Sequence, residues 1–160
     1  MNLLIRKMTL EDLATVVELD HISFSLPWPE RSFRFELTDN IASRCWVAEV
    51  DGRVIGMIVG WMLVDEIHIA TIATHPDFRR QGIARRLLSY ALLQAVAEGA
   101  QSSFLEVRES NLAAQEMYRQ FGYEVTGRRK SYYRDNDEDA ILMNLESLSK
   151  DRLFYASDSG

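Results

Sequence analysis

One stretch, residues 67–88, constrains the fold more than any other part of the chain; it reads IHIATIATHPDFRRQGIARRLL. Over residues 67–74, isoleucine and β-branched residues alternate with small or polar ones, which is typical of a strand. Pro76 ends the strand, because proline has no N–H to donate to a sheet. From Ile83 onward the apolar residues recur at the spacing of one helical face. The stretch therefore predicts a strand, a cationic loop and a helix in direct succession.

The loop of this unit has the features of an anion site. Gly82 and Ala84 are small at the point where the loop becomes a helix, so a ligand can approach the backbone closely. The N–H groups at a helix N-terminus attract anions, and the guanidinium groups of Arg79 and Arg80 suit phosphate oxygens. The loop is predicted to bind a pyrophosphate. The alternative is a solvated basic turn without a ligand.

The spacing of the loop indicates which phosphate ligand is expected. The P-loop pattern and the dinucleotide pattern G-x-G-x-x-G are both missing from this stretch. The pattern present, Arg79-x-x-Gly82-x-Ala84 after a strand and a proline turn, resembles the [RQ]-x-x-G-x-[GA] loop of the GNAT family of N-acetyltransferases. The resemblance implies acetyl-CoA as co-substrate. It further implies that backbone groups of Ile72, Ala73 and Thr74 pair with the pantetheine arm. The N–H groups of the loop would hold the pyrophosphate, and the loop comprises Arg79, Arg80, Gln81, Gly82, Ile83, Ala84 and Arg85.

Composition limits the other possibilities. A chain of 160 residues with 47% hydrophobic and 26% charged residues is typical of one soluble globular domain. The net charge of −6 argues against general nucleic-acid binding. Cys45 is the single cysteine and the three histidines are dispersed, so neither a disulfide nor a metal site is expected. The longest apolar run, residues 54–64, is too short to span a bilayer, and no signal peptide is seen. We predict a cytoplasmic protein without membrane or nucleic-acid contacts, as a monomer or weak dimer.

Periodicity and turn signals divide the rest of the chain into further elements. Strands are predicted at residues 3–6, 45–50, 54–64, 67–74, 103–108, 123–129 and 140–145, and helices at 9–19, 29–37, 83–97 and 111–121. Asp51-Gly52 predicts a tight hairpin turn. Hairpins with two helical crossovers imply an α/β (α+β) fold, with a mixed, mostly antiparallel sheet of about seven strands flanked by about four helices. This order matches the GNAT fold over residues 1–145, and residues 146–160 are predicted to be a loose tail.

A second motif carries the chemistry. Residues 105–123, LEVRESNLAAQEMYRQFGY, closely resemble the RimI-type N-terminal acetyltransferases of the GNAT family. That resemblance implies that Glu106 is the general base, acting directly or through water, and that Tyr118 contacts the cofactor and is the general acid at its sulfur. It implies a cofactor contact for Asn111. Alternatives remain open for each residue: an ion pair of Glu106 with Arg108 or Arg79, simple packing for Tyr118, and only a helix cap for Asn111.

The predicted acid and base suit the reaction. An amine must be neutral to attack a thioester, and an α-amino group with a pKa of about 8 needs only a modest base at neutral pH. The leaving thiolate, whose thiol has a pKa of about 8.5, gains from a proton donor. A carboxylate and a phenol can divide these two tasks.

Two further segments resemble the acceptor channel of these enzymes. Residues 129–133, RKSYY, resemble the family's RRxYY stretch with Lys130 in place of arginine, and residues 26–28, LPW, resemble FPW with Leu26 in place of phenylalanine. The resemblance implies that Trp28, Tyr132 and Tyr133 bind the substrate. The alternatives are a core position for Trp28 and merely exposed aromatic side chains for the two tyrosines.

The resemblance therefore implies transfer of an acetyl group from acetyl-CoA to a protein N-terminus. RimI-type enzymes acetylate the N-terminal alanine of a ribosomal protein, so a ribosomal protein is the expected partner. Two alternatives remain: acetylation of a lysine side chain or small amine, and a non-catalytic module that binds acetyl-CoA.

Overall fold

The computed structural model describes residues 2–148, which form seven strands and four α-helices. The elements are β1 (Leu3–Lys7), α1 (Leu13–Ser23), α2 (Glu30–Thr38), β2 (Ser43–Val50), β3 (Arg53–Leu63), β4 (Glu66–Thr74), α3 (Ile83–Ala97), β5 (Ser102–Arg108), α4 (Leu112–Phe121), β6 (Glu124–Arg129) and β7 (Ala140–Leu145). The predicted class, strand number and helix number are confirmed. Residues 149–160 of the predicted tail lie outside the described part, and the domain boundary stays a prediction.

The strands form one sheet in the order β1-β2-β3-β4-β5-β7-β6, in which only β4 and β5 are parallel neighbours. Pairing between β4 and β5 covers four residue pairs and ends at Ile69 and Leu105. Just beyond this point, an irregularity between Val59 and Gly60 of β3 shifts the register with β4. Because a bulge bends a strand, β4 turns away from β5 here. A gap between the two strands therefore opens near the centre of the sheet.

The sheet separates two apolar layers. Leu105 and Val107 of β5 lie in the layer that contains α3, Tyr118 and Phe121. The other layer holds α1, Phe33 of α2 and the opposite face of β3. Because successive side chains of a strand point to opposite faces, Glu106 lies on the α1–α2 side of the sheet.

Several element boundaries differ from the sequence prediction. The predicted helix start at Thr9 is a 3₁₀ turn, Leu10–Asp12, which is closed because the Thr9 N–H donates to the Asp12 carboxylate at 2.8 Å. Helix α1 begins at Leu13 and continues to Ser23, four residues past its predicted end. Strand β3 ends before Val64, because Leu63 pairs with Glu66 and the two intervening residues must form the turn.

Other predicted features are confirmed. Helix α3 and strand β7 have the predicted bounds. Asp51 and Gly52 have φ of 51° and 82°, as a two-residue hairpin turn of type I′ requires.

Candidate active site

The predicted anion loop leads into α3 through a left-handed residue. Gly82 is the N-cap of α3 with a φ of +77°, and a Cβ added there would meet no atom within 4 Å. Backbone conformation, and not lack of space, therefore favours glycine at this position. The first N–H groups of any α-helix have no partner within the helix, so those of Ile83, Ala84 and Arg85 face the end of α3 that meets the loop.

The arginines of this loop have different surroundings. Arg79 Nε donates to the Thr74 carbonyl at 3.2 Å, so this side chain folds back onto the end of β4. Arg85 donates to Gln120 of α4 and thereby ties the two helices together. Arg80 and Gln81 are exposed.

The end of β4 offers groups that fit the predicted co-substrate. The strand edge at Ile72, Ala73 and Thr74 does not pair with β5, because that pairing ends at Ile69. An extended strand edge can hydrogen-bond the amides of a pantetheine arm as it would another strand. The Thr74 hydroxyl is buried and has no hydrogen-bond partner among the described residues. Buried polar groups are normally paired, so a ligand oxygen would complete this site.

Glu106 lies beside both tyrosines of the predicted acceptor segment. Its Oε1 is 3.7 Å from Nε of Arg129. Burial raises the pKa of Tyr132, and the negative charge of Glu106 adds to this effect. Burial raises the pKa of Tyr133 to about 12, where Glu106 acts in the same direction and Arg108 opposes it. The structure thus brings together Glu106, Tyr132 and Tyr133.

Among the described residues Glu106 does form an ion pair, as the alternative predicts, but its partner is Arg129 and not Arg108 or Arg79, so its role as the base stays a prediction. Arg108 pairs with Asp135 and Glu138 at 3.0 and 3.3 Å, because β5 ends beside the acidic loop between β6 and β7. Arg79 instead bonds the end of β4.

Tyr118 projects from α4 into the layer that contains α3. Its ring centroid is 5.6 Å from that of Tyr123, and only 5% of the residue is exposed. Burial is the main reason that the pKa of Tyr118 is raised, and the nearby Tyr133 raises it further. A phenol with its ordinary pKa of about 10 is already protonated at neutral pH, as a proton donor requires, and burial keeps it so. The same residue also packs near Phe121 as an ordinary core aromatic, so its catalytic role stays a prediction.

Asn111 caps α4 as predicted, since its Oδ1 accepts a hydrogen bond from the N–H of Ala114 at 3.2 Å. Its contact with the cofactor stays a prediction.

A row of aromatic rings crosses the α1–α2 side of the sheet. Trp28 stacks on Trp61 at 6.4 Å, Trp61 meets His68 edge-on at 5.1 Å, and His68 stacks on Phe104 at 4.4 Å. Burial lowers the pKa of His68, which Glu106 partly opposes. The sequence contains no signal for the position of His68, because only the pairing of β4 with β5 places it beside Phe104.

Trp28 lies partly in the core, as the alternative predicts, and its contact with the substrate stays a prediction. It packs against Phe33 at 5.1 Å and also lines an open pocket of about 430 Å³ together with Trp61 and Phe35. Packing therefore fixes this ring without removing it from the surface.

A gap between two parallel strands next to a helix N-terminus that can bind an anion is compatible with acetyl-CoA binding. Residues 13–123 match the family model described as Acetyltransferase (GNAT) family. The chain belongs to the GNAT family, and it is an acetyl-CoA-dependent N-acetyltransferase.

Two relatives and one solved structure are similar to this chain over most of its length. The chain is 39% identical to the putative [ribosomal protein bS18]-alanine N-acetyltransferase of Bacillus subtilis, over 87% of this chain and 92% of that protein. It is 30% identical to the [ribosomal protein bS18]-alanine N-acetyltransferase of Escherichia coli K12, over 84% and 90%. The crystal structure of the ribosomal-protein-S18-alanine N-acetyltransferase from Escherichia coli superimposes with a TM-score of 0.84 at 28% identity, covering 92% of this chain and 96% of that one.

Residues 2–148 contain no cluster of three or more histidine, cysteine or acidic side chains that could hold a metal ion. Within the same part of the chain, no helix is long and apolar enough to cross a membrane. The oligomeric state and the lack of nucleic-acid binding stay predictions.

Proposed function

We propose that this enzyme acetylates the N-terminal α-amine of a protein, and that an N-terminal alanine of a ribosomal protein is its foremost acceptor. The observation that carries the proposal is the position of Glu106 beside Tyr132 and Tyr133, next to the gap between β4 and β5. The names of the relatives at 39% and 30% identity support the choice of alanine.

Glu106 takes a proton from the acceptor amine, directly or through a water molecule. A carboxylate can accept several hydrogen bonds, so Glu106 can accept one from the amine or from that water while it stays near Arg129 and Tyr132. Acetyl-CoA supplies the acetyl group as a thioester, held by the edge of β4 and the start of α3. Tyr118, which is protonated at neutral pH, gives its proton to the sulfur as the thiolate leaves.

The acceptor lies between two aromatic segments. Trp28 belongs to the loop between α1 and α2, and the two tyrosines belong to the loop between β6 and β7. An extended peptide end fits between such loops. The pKa of an α-amine is about 8 and that of lysine about 10.4, so far more of the α-amine is neutral at physiological pH.

Of the two alternatives to this function, one is dropped and the other remains to be tested. The non-catalytic module is not retained, because the family and the relatives are acetyltransferases. Acetylation of a lysine or a small amine is the competing outcome of the experiment below.

The experiment compares two peptides of equal composition in an assay of thiol release from acetyl-CoA. One peptide has a free N-terminal alanine, and the other has a blocked N-terminus and an internal lysine. We expect kcat/KM to favour the free N-terminus strongly. An equal or higher kcat/KM for the blocked peptide would overturn the proposal.

A second experiment tests whether Glu106 is the general base. Glu106→Gln should lower activity at neutral pH by about 10²- to 10⁴-fold, and part should return at higher pH as neutral amine accumulates. Glu109→Gln is the matched control, because Glu109 lies three residues further on and pairs with Arg128 at 2.8 Å. Full activity of Glu106→Gln at neutral pH would remove Glu106 from the mechanism.

A further inference from the structure

The two loops that flank Glu106 are joined by a side-chain bridge. The Ser25 hydroxyl, in the loop between α1 and α2, donates a hydrogen bond to the Asp135 carboxylate, in the loop between β6 and β7. The two residues are 110 positions apart in the chain. This contact spans the acceptor side of the site and involves none of the residues assigned above to catalysis or binding.

Arg108 fixes the bridge to the sheet. Its two terminal nitrogens each donate to a different oxygen of Asp135, both at 3.0 Å. Its guanidinium also lies over the ring of Tyr133, 4.0 Å from the centroid. Arg108 is two residues beyond Glu106 on the same face of β5, so the bridge ends beside the predicted base.

The loop between α1 and α2 is also held at its other end. The N–H of Trp28 donates to the carboxylate of buried Asp20 at 2.6 Å. The short segment from Phe24 to Trp28 is thereby anchored at both ends, by Asp20 to its own helix and by Ser25 to the opposite loop.

We propose that Ser25, Asp135 and Arg108 form a clasp that sets the separation of the two loops before the acceptor arrives, and thereby determines acceptor affinity. The clasp rests on the proposed function, since its acceptor is the peptide N-terminus. A preorganised site spares the acceptor the cost of ordering the loops. The Ser25 hydroxyl and Arg108 favour the ionised form of Asp135 and so lower its pKa.

Four single variants and one double variant test the clasp. Ser25→Ala removes the hydroxyl and leaves the pair of Arg108 with Asp135 intact, whereas Ser25→Thr retains a donor. Asp135→Asn weakens the bridge from the other loop. Asp137→Asn is the matched control, because it removes the same charge from an exposed residue of the same loop. Steady-state kinetics are measured with the peptide that carries a free N-terminal alanine, and melting temperatures monitor folding.

Ser25→Ala should raise the KM for the peptide about tenfold, as expected for loss of one hydrogen bond to a charged group. The kcat and the KM for acetyl-CoA should stay within about twofold, and Ser25→Thr should restore the peptide KM. The combined Ser25→Ala, Asp135→Asn variant should raise the KM by less than the product of the single effects, because both act on one bond.

The clasp is refuted if the peptide KM of Ser25→Ala equals that of Asp137→Asn, or if only kcat or melting temperature changes. If the wild type acetylates the peptide and the clasp variants match the control, the proposed function stands and the clasp alone fails. If the wild type acetylates no peptide N-terminus, both fail.

Discussion

The cofactor side and the acceptor side of the proposed active site are formed by different kinds of groups. On the cofactor side, most of the groups that fit acetyl-CoA belong to the backbone, namely the unpaired edge of β4 and the first N–H groups of α3 after Gly82, and the Thr74 hydroxyl is an additional side-chain group. On the acceptor side, the site depends on side chains from distant parts of the sequence, among them Ser25, Asp135 and Arg108.

This difference determines how each side responds to substitution. Backbone groups are altered only by changes in conformation or by an added obstruction, so most side-chain replacements leave the cofactor side intact. The acceptor side depends on individual hydrogen bonds, each of which one substitution can remove. Relatives can therefore share a cofactor and differ in acceptor. Four experiments sharpen or break this comparison, in order of decreasing expected effect.

Tyr118→Phe tests a side chain that the mechanism places at the leaving sulfur. The change removes one proton donor and keeps the buried ring, so kcat should fall by about 10²- to 10⁴-fold with little change in acetyl-CoA affinity. Tyr123→Phe is the control, because it removes another buried phenol, which donates to Ser103 at 2.7 Å. Stopped-flow turnover at wild-type speed in Tyr118→Phe would leave Tyr118 with a packing role only.

Gly82→Asp tests the backbone side. A carboxylate at the start of α3 repels the pyrophosphate, and acetyl-CoA affinity should fall about tenfold or more by calorimetry. Gly99→Asp is the matched control at the other end of α3, since Gly99 has a φ of +102° and also meets nothing within 4 Å. Equal affinity of the two folded variants would contradict the assignment of the pyrophosphate site.

Comparing Asp20→Ala with Asp20→Asn distinguishes the effect of the hydrogen bond that Asp20 accepts from Trp28 from the effect of the negative charge of Asp20. Alanine leaves the Trp28 N–H unpaired, so unfolding free energy should fall by about 1–3 kcal/mol and the peptide KM should rise. Asparagine keeps an acceptor and removes the ionised group.

The pKa of Asp20 determines in which direction folding stability should change with pH. Burial raises the pKa of Asp20 in the folded protein, so its ionisation weakens folding as pH rises from about 3.9 through the folded pKa. Asp20→Asn should therefore match or exceed wild-type stability at neutral pH in urea titrations. A large loss of stability in Asp20→Asn would show that the charge itself is needed.

Asp12, near the other end of α1, has a lowered pKa where Asp20 has a raised one. Its substitution should have the smallest effect of the four experiments. Its hydrogen bond with Arg6, at 2.8 Å, lowers its pKa. The stabilisation is present above about pH 3.9 and is lost as pH falls through the folded pKa. Asp12→Asn should cost about 1 kcal/mol at neutral pH, with no difference from wild type in strong acid and no change in either KM. Altered KM values would show that this distant pair acts on the site.

The sequence by itself determined the number and order of the elements, and it predicted the cofactor loop. Gly82, Pro76 and the apolar repeat of α3 act through their immediate neighbours, so their signals can be read locally, and α3 begins and ends at the predicted residues. The motif of residues 105–123 led to Glu106 and Tyr118 through a family resemblance, and their catalytic roles remain to be tested.

Only the tertiary structure decided what surrounds these residues. The order β5-β7-β6 and its register bring Arg129 to Glu106, and the pairing of β4 with β5 stacks His68 on Phe104. The family resemblance assigned both loops to one acceptor channel, but nothing in either sequence indicates the contact of Ser25 with Asp135. Such contacts depend on how separate elements pack, because neighbouring residues determine local conformation but not which distant segment lies alongside.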